Sequence, residues 1–158
     1  MSTRPRPCFL LAAAMLLCVA AAVADEASEA VDQNGNVHDW RPKAGAVTVV
    51  DFAASWCGPC RDTLPKLQAL ADRRPELRVL VISVDESVSG RDSLVSDLGL
   101  KVPVLWDENH RAAEFFRPGG MPSTFLYDRD GNPVLSYVGT GKKDWRRLVE
   151  TLDTLTRD

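Results

Sequence analysis

Two cysteines separated by two residues, Cys57 and Cys60, follow the run Val49-Val50-Asp51-Phe52-Ala53-Ala54-Ser55-Trp56. Such a pair can hold a metal, close a small disulfide or exchange electrons as a dithiol. The run before it is apolar and β-branched, the pattern of a buried strand. After it, Leu64, Leu67, Leu70 and Ala71 recur at helical spacing as far as Arg73. Gly58 and Pro59 mark the switch from strand to helix. Pro59 suits a helix start, because it has no N–H to lose and its φ is preset. A strand thus delivers both cysteines to the first turn of a helix from about Gly58 to Arg73. Unpaired N–H groups and the positive end of the helix dipole favour an anion there. A thiolate is such an anion, and it is the nucleophile of disulfide exchange. Cys57 is the expected exposed nucleophile, and Cys60, one turn on, can close a disulfide with it.

Asp51 is the one charge on the apolar strand. Burial there raises a carboxyl pKa; the alternative is a strand edge facing solvent. Trp56 either covers the cysteine pair or belongs to the core. Trp40, Trp106, Trp145, Phe115 and Phe116 read as packing residues. His38, His110 and Glu86 read as surface groups, and Lys142, Lys143, Arg146 and Arg147 as a solvated helix face.

The elements that must position the pair follow in order. Asn34-Gly35 between β-compatible flanks, Val31 to His38, signals a hairpin. Val47 to Ala53 is a strand, and Pro65 should bend the helix that follows it. Leu77 to Val84 is a second buried strand. Ser89 is a candidate N-cap for a helix through Leu98, with Gly99 as its stop. Lys101 to Trp106 is extended, and Asp107 or Asn109 can cap a helix reaching Phe115 or Phe116. Strands Ser123 to Tyr127 and Val134 to Val138 form a hairpin. A last helix opens at Asp144, with Trp145, Leu148, Val149, Leu152 and Leu155 on one face. Strands that alternate with helices early pair parallel; the late hairpin is antiparallel.

The chain has 158 residues, enough for one domain with a sizeable core. Arg4 and Arg6 precede an apolar stretch from Phe9 to Ala20, and Ala22-Val23-Ala24 fits a small-residue cleavage site. Residues 1–24 are therefore expected to be a signal peptide, with 25–158 the folded domain. The alternative is an uncleaved N-terminal membrane anchor, although the uncharged run is short for a spanning helix. A lipoprotein reading is weaker, because Leu17 precedes Cys18. Cleavage removes Cys8 and Cys18 and leaves Cys57 and Cys60 alone. A disulfide between neighbours staples almost no chain, so a structural role explains the pair poorly. A zinc site needs about four ligands, and only His38 and His110 remain to supply them, without ligand spacing. Beyond residue 24 the chain holds 17 basic and 22 acidic residues, net −5, with no basic tract; nucleic-acid binding is not expected.

Trp56-Cys57-Gly58-Pro59-Cys60 resembles the active-site pentapeptide of thioredoxin, with Asp51 where that family carries a buried carboxylate and Pro65 where it carries a kink proline. The signal peptide, the inserted segment between Val84 and Met121, and Cys60-Arg61-Asp62-Thr63-Leu64-Pro65 are similar to the TlpA/ResA-type extracytoplasmic thiol–disulfide oxidoreductases. Asp51 departs from many members of that group. The resemblance covers nearly all of residues 31–157. It implies a thioredoxin fold: α/β, three layers around a mixed central sheet, with an N-terminal β-hairpin and a helical insert before a cis-proline. It further implies that Pro122 is cis and lies opposite the cysteines, where it keeps metals from the thiols. Met121 then pairs its backbone with an extended substrate. Trp56 lines the docking surface, Gly58 and Pro59 set the couple's potential, and Asp51 exchanges a proton with Cys60 through water.

The implied activity is reduction of disulfides in extracytoplasmic, for example periplasmic, client proteins, in the manner of cytochrome c maturation or copper-site assembly. A membrane thiol transporter would supply electrons. The protein would be a monomer without cofactor or metal. Gly58-Pro59 favours the reducing direction: thioredoxin, with this dipeptide, sits near ~−270 mV and the oxidant DsbA near ~−120 mV. An oxidase or isomerase is the alternative enzyme, though those families usually place a histidine between the cysteines. A copper or other metal-binding chaperone of the same fold is the alternative binding module; its familiar form spaces the cysteines by three residues.

Overall fold

The computed structural model describes residues 28–157. The expected signal peptide, residues 1–24, lies outside them. Strands β1 (Glu29–Val31) and β2 (Val37–Asp39) form the N-terminal hairpin. They are followed by β3 (Thr48–Ala53), α1 (Cys60–Arg73), β4 (Arg78–Ser83), α2 (Val88–Leu98), β5 (Val104–Trp106), α3 (Arg111–Phe116), β6 (Ser123–Tyr127), β7 (Pro133–Val138) and α4 (Lys142–Leu155).

The main sheet has the order β5-β4-β3-β6-β7. Strands β3, β4 and β5 run parallel, whereas β6 and β7 are antiparallel to their neighbours. All six residues of β3 are buried, as expected of a central strand covered on both faces. Alternation then divides its side chains. Val49 and Ala53 pack with Leu64 and Leu67 of α1 and Leu148 and Leu152 of α4. Val50 and Phe52 face the opposite layer, where Trp40 and Phe116 of α3 lie. This is the three-layer mixed arrangement that the resemblance implies.

The inserted segment supplies α2, α3 and the edge strand β5. Its boundaries have local causes. Gly99 ends α2 in the left-handed conformation, φ 60°, which costs glycine nothing. Ser87, not the expected Ser89, precedes the helix; the two hydroxyls lie 2.8 Å apart, and Ser89 sits inside the first turn. For α3 the cap is Asp107: its carboxylate accepts the Ala112 and Ala113 N–H groups at 3.0 and 2.8 Å. The hairpin is tied to the insert rather than to the sheet ladder. The Gln33 carboxamide donates to Val102 O at 3.0 Å and accepts from Val104 N at 2.8 Å. Buried Arg91 of α2 donates to Val31 O at 3.1 Å.

Phe116 is buried and touches the rings of Trp40, Phe52, Phe125 and Tyr127. Phe115, expected in the core, is instead 50% exposed, its ring tilted 56° against that of Trp40 with centroids 5.5 Å apart. On a six-residue helix with one buried stripe, only one of two adjacent rings can face the sheet. Denaturant unfolding should therefore separate them: Phe116→Ala should lose about 3–5 kcal/mol, and Phe115→Ala about 1 kcal/mol.

Candidate active site

Strand β3 ends at Ala53, and the loop beyond it carries the cysteines onto α1. Cys57 N donates to Ala54 O at 3.1 Å, and Pro59 is the N-cap residue. Cys60 is thus the first residue of the helix, and Cys57 lies just before it. The two are joined by a disulfide with Cα atoms 5.4 Å apart. The Cys60 N–H points at Cys57 Sγ at 3.2 Å, so a helix-start donor already faces the sulfur that would carry charge. Cys60 is fully buried, and Cys57 is less open than expected at 5% exposure. Trp56 settles on the surface side of its two readings: it is 67% exposed. Pro65 lies inside the continuous helix, and its missing N–H leaves the Arg61 carbonyl without a helical donor.

The loop is held from beneath by a residue that reads, in sequence, only as the end of a strand. Asp85 is buried and accepts from Ser55 N at 3.0 and 3.1 Å, Ser55 Oγ at 2.6 Å and Ser83 Oγ at 2.8 Å. A Cβ on Gly90 would lie 2.7 Å from the Asp85 side chain, so the first turn of α2 approaches this carboxylate as only glycine allows. The available signal was an acidic residue immediately after a buried strand.

Met121–Pro122 is a cis peptide bond, as the resemblance implies. Met121 joins Trp56, Cys57, Gly58 and Pro59 in lining one open groove of about 590 Å3. His110, Pro118 and Gly120 line the same groove. His110, read as an ordinary surface residue, therefore faces the site. It and Arg117 bracket α3 in the left-handed region, φ 54° and 52°, where a side chain is strained by roughly 1–2 kcal/mol. Glu86 and the basic residues at the start of α4 are exposed, as expected.

Asp51 is fully buried. On β3 it alternates with Val50 and Phe52, so it shares the face of Val49 and Ala53, toward α1. Its Oδ1 accepts the Thr124 hydroxyl at 2.7 Å, while Oδ2 has no partner. Burial, only partly opposed by that hydrogen bond, pushes its pKa up to about 7. The sequence-predicted residues Trp56, Cys57, Gly58, Pro59 and Met121 thus meet in one groove. Pro122 follows Met121 as a buried residue, and Asp51 and Cys60 lie in the layer beneath.

The sheet order, the disulfide at a helix start and the cis-proline define a thioredoxin-fold protein. Residues 21–134 match the model of the AhpC/TSA family, and the chain belongs to that thioredoxin-like family. The thiol-disulfide oxidoreductase ResA of Bacillus thuringiensis is 26% identical over 115 residues, which cover 72% of this chain and 66% of that relative. An H-type thioredoxin of Oryza sativa is 33% identical over 107 residues, 68% of this chain and 69% of the relative. Among solved structures, a protein of Chlorobium tepidum described as a DsbE thiol:disulfide interchange protein superposes with a TM-score of 0.74 at 26% identity. It matches 80% of this chain and 91% of its own.

The Asp51 carboxyl holds its proton to about pH 7 in the fold, against an ordinary value of 3.8. Its contribution to stability is therefore complete below the lower value and is lost as pH rises through the upper one. Asp51→Asn should flatten that loss, gaining up to the order of 4 kcal/mol at about pH 9 and little at about pH 4. Denaturant unfolding of the oxidised protein at both pH values measures the difference.

Proposed function

We propose that the protein is an exported thiol–disulfide oxidoreductase that reduces disulfides in extracytoplasmic client proteins. The observation that carries this is the Cys57–Cys60 disulfide at the start of α1, opening into a groove walled by Trp56 and Met121. The ResA and thioredoxin relatives support it. The site residues are Cys57, Cys60 and Asp51 for the chemistry, with Trp56, Gly58, Pro59, Met121 and Pro122 for the couple and for docking.

In this reading the reduced Cys57 thiolate attacks one sulfur of a client disulfide and displaces the other as a thiolate. The Cys60 thiol passes its proton to the Asp51 carboxylate, through water. The Cys60 thiolate then attacks Cys57 Sγ, releases the second client thiolate and leaves the disulfide seen here. Two electrons have moved to the client. A carboxyl with a pKa of about 7 both accepts and returns a proton near neutral pH. An extended client segment would lie along Met121 and Pro122, adding to the backbone there as a strand adds to an edge. Electrons return from a membrane thiol transporter, and the clients belong to cytochrome c maturation or copper-site assembly. The signal peptide would be residues 1–24, cleavage leaving a monomeric domain of residues 25–158; among the described residues no helix is long and apolar enough to cross a membrane.

Equilibration of the domain with graded thiol buffers tests the direction. The couple should fall at about −270 mV, and a value of about −120 mV would make it an oxidase instead. Cys60→Ser should trap a client on Cys57 as a mixed disulfide on non-reducing gels, and Cys57→Ser should trap none. A pair that forms no disulfide would overturn the redox reading and turn attention to metal binding.

A further inference from the structure

Two buried polar atoms have no hydrogen-bond partner of normal geometry among the described residues: Asp51 Oδ2, and the Tyr137 hydroxyl, which lies near enough to the Thr124 side chain to feel it. They are not scattered. Asp51 of β3 stands directly opposite Thr124 of β6, and Thr124 stands directly opposite Tyr137 of β7. Residues directly opposite in antiparallel strands place their side chains on the same face. The three side chains therefore form one row across the sheet, on the face covered by α1 and α4. Its middle member already donates to the first: Thr124 Oγ1 to Asp51 Oδ1, 2.7 Å. A hydroxyl that donates once keeps two lone pairs to accept with. The Tyr137 hydroxyl is a donor buried within that row; burial raises its pKa most, hydrogen bonding to the Thr124 side chain lowers it, and the nearby Asp51 and Asp144 carboxylates raise it. It keeps its proton at any pH at which Asp51 titrates.

We propose that Tyr137 is a positioning residue for Asp51: when Asp51 ionises, the Tyr137 hydroxyl donates to Thr124 Oγ1, which strengthens the bond from Thr124 to the carboxylate. Chains of hydroxyls ending on a charge reinforce one another. Burial alone drives Asp51 upward, and the row restrains that rise, which keeps the group close to neutrality rather than permanently protonated. The other groups facing this layer are few. Val81, opposite Asp51 on β4, is apolar. On α1, Cys60 is held in the disulfide, and Lys66 lines a small crevice with Tyr137, Thr140 and Trp145. On α4, Asp144 acts on Tyr137. Asp51 titrates near neutrality, so a shift in its midpoint reports on the row.

The inference rests on Asp51 as the proton acceptor of the proposed reaction, yet its test needs no client. In the oxidised full chain, the Asp51 carboxyl is followed by carbon-13 NMR against pH and identified by its loss in Asp51→Asn. Tyr137→Phe should move the midpoint up by about half a pH unit or more, with the thermal transition near that of the parent. Thr124→Val should move it at least as far, Thr124→Ser should restore it, and Tyr137→Phe combined with Thr124→Val should go no further than Thr124→Val alone. A Tyr137→Phe midpoint equal to the parent's, or an effect that adds in full to that of Thr124→Val, overturns the proposal. If the row behaves as expected but Asp51→Asn leaves client reduction and its pH profile unaltered, the reaction reading fails while the row stands.

Discussion

The cysteine loop depends on a carboxylate that is hydrogen-bonded to neither cysteine. Asp85 gathers the backbone and hydroxyl of Ser55 and the hydroxyl of Ser83 onto its two oxygens, and the indole of Trp106 donates to its carbonyl at 2.9 Å. Four separate pieces of chain therefore converge on one residue: the cysteine loop, the end of β4, the start of α2 and the end of β5. A charged group removed from water is costly unless its lone pairs are filled. Here the donors that fill them are those of the loop whose shape matters. Releasing the loop would leave the buried Asp85 oxygens without the donors that satisfy them.

The second constraint is the position of β3. A strand bonded on both edges and covered on both faces leaves no solvent route for a charged side chain, so any carboxylate on it must be shifted toward neutrality. Asp51 is placed there by alternation with Val50 and Phe52, and the shift follows from the sheet rather than from a designed neighbour. The same strand, by ending where it does, sets the height at which Cys57 emerges beside the Met121–Pro122 bond. Position in the sheet thus accounts for both the place of Cys57 and the acidity of Asp51.

Much of this was legible in the residues. The apolar run of β3, the turn at Gly58-Pro59 and the leucine spacing of α1 locate the cysteine pair without any coordinates, because each signal is local. The hairpin at Asn34-Gly35 and the glycine stop of α2 are local too. What the sequence concealed was long-range. Asp85 reads as a strand terminator because its partners at Ser55 lie 30 residues away. His110 reads as a surface histidine because only the fold brings the start of α3 to the groove that Trp56 lines. Tyr137 sits on a strand whose alternate residues face solvent, and its buried hydroxyl follows from the register with Thr124. Phe115 and Phe116 are indistinguishable by composition; a single short helix decides between them.

The Gln33 carboxamide has a consequence at the scale of molecules. By answering Val102 O and Val104 N in the manner of a neighbouring strand, one side chain occupies the outer edge of the sheet. At the opposite edge β7 begins with Pro133, which brings no N–H to a ladder. Both ends of the sheet thus carry a feature that discourages another strand from continuing the ladder there.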